Sequence, residues 1–139
     1  MFLDPSIHVG GKNNRPDMLI VRKDGTVAAM VEIKANMGWC RNAFWVIDDI
    51  IGNDAKFRSE GTLHCEFSKD ENVDVTYADG VKLFLVSLVD GNCPRNKHEV
   101  NKVYASSRGV LQMNLFAGWY DSLGDLEIRS FAQEVIDAI

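Results

Sequence analysis

Hydrophobic and polar positions follow two different periods along this chain, and the switches between them predict its elements. Two apolar runs, Met18-Leu19-Ile20-Val21 and Val27-Ala28-Ala29-Met30-Val31, flank Asp24-Gly25. Asp-Gly between apolar runs predicts a β-hairpin, because a type I′ turn needs φ > 0 at both central positions. Over residues 41–57 the period lengthens. Phe44, Ile47, Ile51 and Ala55 recur at helical spacing and predict a helix with one buried face. Residues 62–77 alternate loosely around Lys69-Asp70-Glu71-Asn72 and predict a second, more exposed hairpin. Residues 81–89 are almost continuously apolar between Asp79-Gly80 and Asp90-Gly91, the pattern of a buried central strand. Pro94 suits the first position of a further helix, to which Val100, Val103 and Tyr104 give an apolar side. Residues 110–116 predict one more strand. Ile128, Phe131, Ala132, Val135 and Ile139 then form the stripe of a last helix. Ahead of the first hairpin the chain is turn-rich, with a stub of strand at residues 6–9. Gly10-Gly11-Lys12-Asn13 lacks the spacing of a phosphate loop and reads as a turn. The expected class is α/β.

The register of the first hairpin decides which side chains meet. If Lys23 faces Thr26 across a two-residue turn, opposed residue numbers sum to 49 and Asp17 faces Glu32. Side chains alternate along a strand, so Lys34 shares the face of Glu32. Opposed Cβ atoms lie about 5 Å apart. Two carboxylates at about 5 Å, in an effective dielectric near ~20, repel by about 3 kcal/mol. A divalent cation between the oxygens removes that repulsion, and Mg²⁺ takes carboxylate and water oxygens. Separate solvation, or pairing with Arg15 and Lys34, is the alternative. A three-residue loop or a bulge is expected to throw the two acids onto opposite faces.

Pro16-Asp17 followed by Glu32-Ile33-Lys34 resembles the PD-(D/E)XK nuclease superfamily, the restriction-endonuclease-like fold. The aspartate opens one strand, the acid-x-lysine triplet closes its partner, and a helix and a buried strand follow in the family's order. The resemblance spans residues 6–89. It implies a mixed central sheet flanked by helices and hydrolysis of phosphodiester bonds with a 5′-phosphate product. It also implies Mg²⁺ or Mn²⁺ held by Asp17, Glu32 and the Ile33 carbonyl. Lys34 would then assist the attacking water. Lys12, Arg15, Arg41 and Lys56 are the candidate nucleic-acid contacts, with DNA the favoured polymer and a homodimer the expected arrangement for symmetric duplex cutting. The family core begins with a helix ahead of the first strand. The sixteen residues before Asp17 do not look helical, so that element is expected to be missing here.

Composition changes this picture only in part. A chain of 139 residues with 46% hydrophobic and 25% charged residues suits one globular domain. No apolar run reaches membrane-spanning length, and the start lacks a signal-peptide pattern, so the expected location is the cytoplasm with no membrane partner. Cys40, Cys65 and Cys93 are odd in number and far apart, which argues against a disulfide framework or a structural zinc site. A net charge of −5 counts against a nucleic-acid partner. Local clusters offset it: Lys12, Arg15, Arg22 and Lys23 near the hairpin, and Arg95, Lys97, His98, Lys102 and Arg108 later. Arg95, His98 and Lys102 would form one basic helix face. Asp48-Asp49 reads as solvated helix surface, and His64 as a surface histidine.

No nucleophile elbow, zinc-protease helix or dinucleotide fingerprint is present. Three readings follow: a metal-dependent nuclease; a module of the same fold without catalysis, binding nucleic acid or protein; and an unrelated α/β domain.

Overall fold

Parallel strands cannot be joined by a tight turn, so the buried run predicted at residues 81–89 needs a crossover before it can pair with the hairpin. The computed structural model of the chain describes residues 2–36, 44–68, 71–89 and 95–114, together with 129, 132–133 and 136–137. A five-stranded mixed sheet has the order β1 (Phe2–Leu3), β4 (Met18–Val21), β5 (Val27–Asn36), β8 (Lys82–Val89) and β9 (Val110–Asn114). β1, β4 and β5 are antiparallel neighbours, whereas β8 and β9 run parallel to β5. The helices α1 (Phe44–Glu60) and α2 (Arg95–Ser107) lie in the two crossovers.

A second, four-stranded sheet has the order β3 (Lys12–Asn14), β2 (Ser6–Val9), β6 (Thr62–Ser68) and β7 (Glu71–Thr76). The predicted second hairpin is β6–β7, and the predicted stub is β2, to which it pairs. Both sheets share the main core. Leu19, Met30, Leu85 and Val110 of the first sheet pack with Val46, Ile47, Ile50 and Phe57 of α1 and with Ile7, Leu63 and Val75 of the second. The other face of the first sheet carries a smaller cluster: Ile20, Ala28, Ala29, Val31, Phe84 and Val86. Among the described residues before Asp17 there are strands and no helix. None of the described helices is long and apolar enough to cross a membrane.

Both helices are rotated from the expected stripes. α1 buries Val46, Ile47, Ile50, Asp54 and Phe57, while Ala55 is exposed. The shift accommodates a buried acid. Asp54 accepts a hydrogen bond from the Tyr77 hydroxyl at 2.8 Å and is ion-paired with Arg58, so its burial is compensated. Burial and this bond push the Tyr77 hydroxyl pKa far up. Phe44 is half-buried and stacks on Tyr104, with ring centroids 3.8 Å apart. On α2, Val100 and Val103 face solvent, and His98, Asn101 and Ala105 are the buried positions. The expected basic face is therefore broken, since His98 points inward. Polar residues inside both interfaces defeat a reading by hydrophobicity alone. Cys65 lies in the core, where burial pushes its thiol up to about 11, whereas Cys40 and Cys93 lie outside the described residues. Most of the predicted last helix also lies outside them. Residues 129, 132, 133, 136 and 137 are helical, with Gln133 donating to Asp137 at 2.7 Å.

Candidate active site

The turn that sets the site differs from the one expected. Arg22 N–H donates to the Thr26 carbonyl at 2.8 Å, and Gly25 N–H to the Arg22 carbonyl at 3.0 Å. Lys23, Asp24 and Gly25 thus form a three-residue loop with Arg22, not Lys23, opposite Thr26. Gly25 has φ 86°, while Asp24 does not enter the positive region. Val21 then pairs with Val27, an opposed sum of 48. Between Val21 and Ile20 the register shifts, and Ile20↔Ala29, Leu19↔Met30 and Met18↔Val31 all sum to 49. The additional residue is Ala28. Ala28 and its neighbour Ala29 both join the smaller cluster, the two-on-one-face signature of a β-bulge. Loop and bulge each displace the register by one residue, in opposite senses. Asp17, immediately before Met18, therefore still comes level with Glu32.

The sequence explains why the chain takes this route. A two-residue turn would force φ > 0 on Asp24 and set Arg22 against Val27. The loop instead leaves Val21 and Val27 together in the main core. It also frees the Asp24 carboxylate to accept from Thr26 N–H at 3.0 Å and Thr26 Oγ1–H at 2.7 Å. These bonds hold the Asp24 pKa below its usual value. Arg22 is spent here too, donating to Thr26 Oγ1 and to the Val27 carbonyl at 3.3 Å each.

At the far end of the hairpin, Asp17 Oδ2 accepts a hydrogen bond from Ile33 N–H at 2.6 Å. The Asp17 carbonyl accepts from Asp4 N–H at 2.8 Å, so both ends of the residue are held. Lys34 Nζ donates to Glu32 Oε1 at 2.5 Å, and both side chains are partly buried. Glu32 and Lys34 line a cavity of about 110 Å³ with Arg15 and with Trp45, Asp49 and Asn53 of α1. Val46 and Ile50, anchored in the core, hold this side of α1 in place. Asp17 stands beside the cavity without lining it.

The donor set suits a hard cation. Each carboxylate has one oxygen engaged, which leaves Asp17 Oδ1 and Glu32 Oε2 without a partner among the described residues. The N–H and C=O of one strand residue point to the same edge, so the Ile33 carbonyl faces the edge where Asp17 sits. No three His, Cys, Asp or Glu side chains among the described residues come together as a metal-binding group. A cation here would thus rely on two carboxylates, one carbonyl and water, a ligand set Mg²⁺ accepts.

The candidate nucleic-acid contacts divide. Arg15 lines the cavity and pairs with Asp4 at 3.0 Å. Lys56 is exposed on α1, three residues past Asn53. Lys12 lies in β3, on an edge of the second sheet, and is not brought to the cavity. Arg41 lies outside the described residues. The pair Asp48-Asp49 divides as well. Asp48 accepts from the Tyr104 hydroxyl at 2.8 Å, and only Asp49 reaches the cavity. Both are exposed, as expected of solvated helix surface, and the reading did not anticipate that Asp49 lines the cavity. Trp45, Asp49 and Asn53 were findable in principle, since positions i, i+4 and i+8 share one helix row. His64 is exposed and pairs with Asp74 at 2.5 Å. Comparison of the chain with protein-family models, curated proteins and solved structures gave no match.

Proposed function

We propose that this chain is a metal-dependent nuclease that hydrolyses DNA phosphodiester bonds. The observation that carries this reading is the placement of Asp17 level with Glu32 on neighbouring strands, with Lys34 on the same face beside an open cavity. The order of hairpin, helix and parallel strand supports it, because the PD-(D/E)XK resemblance implies that order. Among the described residues before Asp17 there is no helix, whereas the resemblance implies one there. Asp49, on the helix that follows the hairpin, offers a further acid at the cavity.

A Mg²⁺ ion held by Asp17, Glu32 and the Ile33 carbonyl would polarise a phosphate oxygen and acidify a bound water. Asp17 is preset for this by its bond to Ile33 N–H. Lys34 starts paired with Glu32. Were a cation held at Glu32, the Lys34 ammonium would be free to position the attacking water or to stabilise the pentacovalent phosphate. Cleavage at the 3′-oxygen leaves the 5′-phosphate product.

The test is cleavage of plasmid, single-stranded DNA and RNA with Mg²⁺ or Mn²⁺. Lys34→Ala should lose at least about 100-fold in cleavage, the scale of one positioned proton-transfer group, and should still bind metal. Asp17→Asn should lose cleavage and metal affinity together. Full cleavage by either variant sinks the mechanism. Nucleic-acid binding without turnover by the wild type would favour the non-catalytic module.

A further inference from the structure

Trp45 is 55% exposed, although it is the second residue of a helix whose neighbours Val46 and Ile47 are fully packed. A tryptophan left half in water forgoes much of the burial that its large apolar surface could supply. Isolated exposed apolar residues need no explanation. This one is not isolated from chemistry: it forms a wall of the cavity that Glu32, Lys34 and Arg15 also line. Its helix row continues through Asp49 and Asn53 toward Lys56, about 16 Å along the axis from Trp45 at 1.5 Å per residue.

An exposed aromatic face beside cations and an amide is the combination that holds an unpaired nucleobase. The ring stacks on the base, nearby cations add at most a few phosphate contacts, and every base offers a π-face. A continuous duplex cannot use it, because its bases are already stacked. The charge of the molecule points the same way. Arg15 is shared with Asp4 and Lys34 with Glu32, and the chain carries a net charge of −5. Few cations remain to follow a phosphate backbone, so affinity must come from contacts other than charge.

We infer that Trp45 is a stacking platform and that the cavity takes an unpaired stretch of DNA rather than a continuous duplex. This rests on the nuclease reading for its polymer, but stacking itself does not require turnover.

The experiment measures binding of the full chain, in EDTA, to three fluorescein-labelled DNA probes. These are a 12-nucleotide oligothymidylate, an abasic oligomer with the same number of phosphates, and a 12-base-pair duplex. Oligothymidylate should bind best. Its affinity should fall only shallowly with salt, with a log–log slope of about −1.5 for two phosphate contacts. Trp45→Ala should lose about tenfold in affinity for oligothymidylate and leave abasic binding unchanged, whereas Trp45→Phe should keep most of it. Equal binding of oligothymidylate and the abasic oligomer, or indifference to Trp45→Ala in a variant with wild-type circular dichroism, overturns the inference. Mg²⁺-dependent cleavage is scored separately on the same samples. Base-dependent binding without cleavage removes the nuclease and keeps the platform, and cleavage indifferent to Trp45 does the reverse.

Discussion

The two hairpins at the start of the chain solve the same problem by different means. β2–β3 turns on Gly10-Gly11, with φ of 60° and 75°, and Val9 pairs directly with Lys12. Both central residues accept positive φ without penalty, so the two-residue turn closes and the strands alternate without interruption. β4–β5 has glycine at only one of the two positions. It takes a longer loop at Lys23-Asp24-Gly25 and returns the surplus residue as a bulge at Ala28. The first hairpin is short: of the seven residues in its strands only Ile7 is fully buried, with Val9 partly buried against the core. The second is buried on both faces and carries the candidate site. Register is therefore enforced by burial, and the turn adapts to it.

That difference can be broken most severely between the bulge and the site. Inserting one alanine between Met30 and Val31 inverts the alternation there. Either Met30 leaves the main core or Glu32 and Lys34 move to the face of Val31. Cleavage should fall below detection, and the denaturant midpoint should drop. Deleting Ala28 should do far less, because Val21↔Val27 and Ile20↔Ala29 both survive and only the bulge is lost. Cleavage should stay within about tenfold of wild type. If the deletion is as damaging as the insertion, the bulge orients the site itself and does not merely absorb a residue.

The contrast also marks what could be read from the sequence. Strand and helix periods were legible because long apolar runs such as residues 81–89 admit few alternatives. The facing of Asp17 and Glu32 was legible although its supposed cause, a two-residue turn, is absent. Loop and bulge cancel, and the buried valines and alanines demand the same register by either route. The second sheet was not legible. Residues 6–9 contain one fully buried residue, Ile7, and nothing local says that they pair with residues 62–68. The helix faces were misread where Asp54 and His98 are buried, and for Asp54 the hydroxyl that compensates its burial belongs to Tyr77, 23 residues away. The cavity was illegible for a related reason. It exists because α1 settles against the sheet with Trp45 and Asp49 facing Glu32 and Lys34, a tertiary choice made by Val46, Ile47 and Ile50.

A smaller effect tests the loop alone. Gly25 has φ 86°, with nothing within 4 Å of where a Cβ would stand, so substitution meets strain without a clash. Left-handed backbone costs a non-glycine residue about 1–2 kcal/mol. Loss of unfolded-state freedom returns about 0.4–1 kcal/mol of that. Gly25→Ala should therefore destabilise by about 1 kcal/mol net in chemical denaturation. The Gly25 carbonyl also accepts from Thr76 N–H at 2.9 Å, which ties this loop to the second sheet. A loss much above that figure would mean that the tie is strained as well.

The smallest effect should come from Asp24, and pH isolates it. Its carboxylate accepts two hydrogen bonds from Thr26, and these, the hydroxyl bond first, lower its pKa in the folded chain. A group whose folded pKa is depressed binds fewer protons folded than unfolded. Its contribution is fully present above the unfolded value of 3.8 and is lost as pH falls through the lower folded value. Asp24→Ala should thus lower the denaturant midpoint slightly at neutral pH, and the gap from wild type should close below about pH 4. Asp24→Asn keeps an acceptor without the charge, so it should fall between the two at neutral pH, and its gap from wild type should shrink over the same range. A gap that stays constant into acid would mean that the carboxylate is held no better folded than unfolded. The three-residue loop would then owe its stability to Gly25 and to the packing of Val21 and Val27, and not to the acid at its centre.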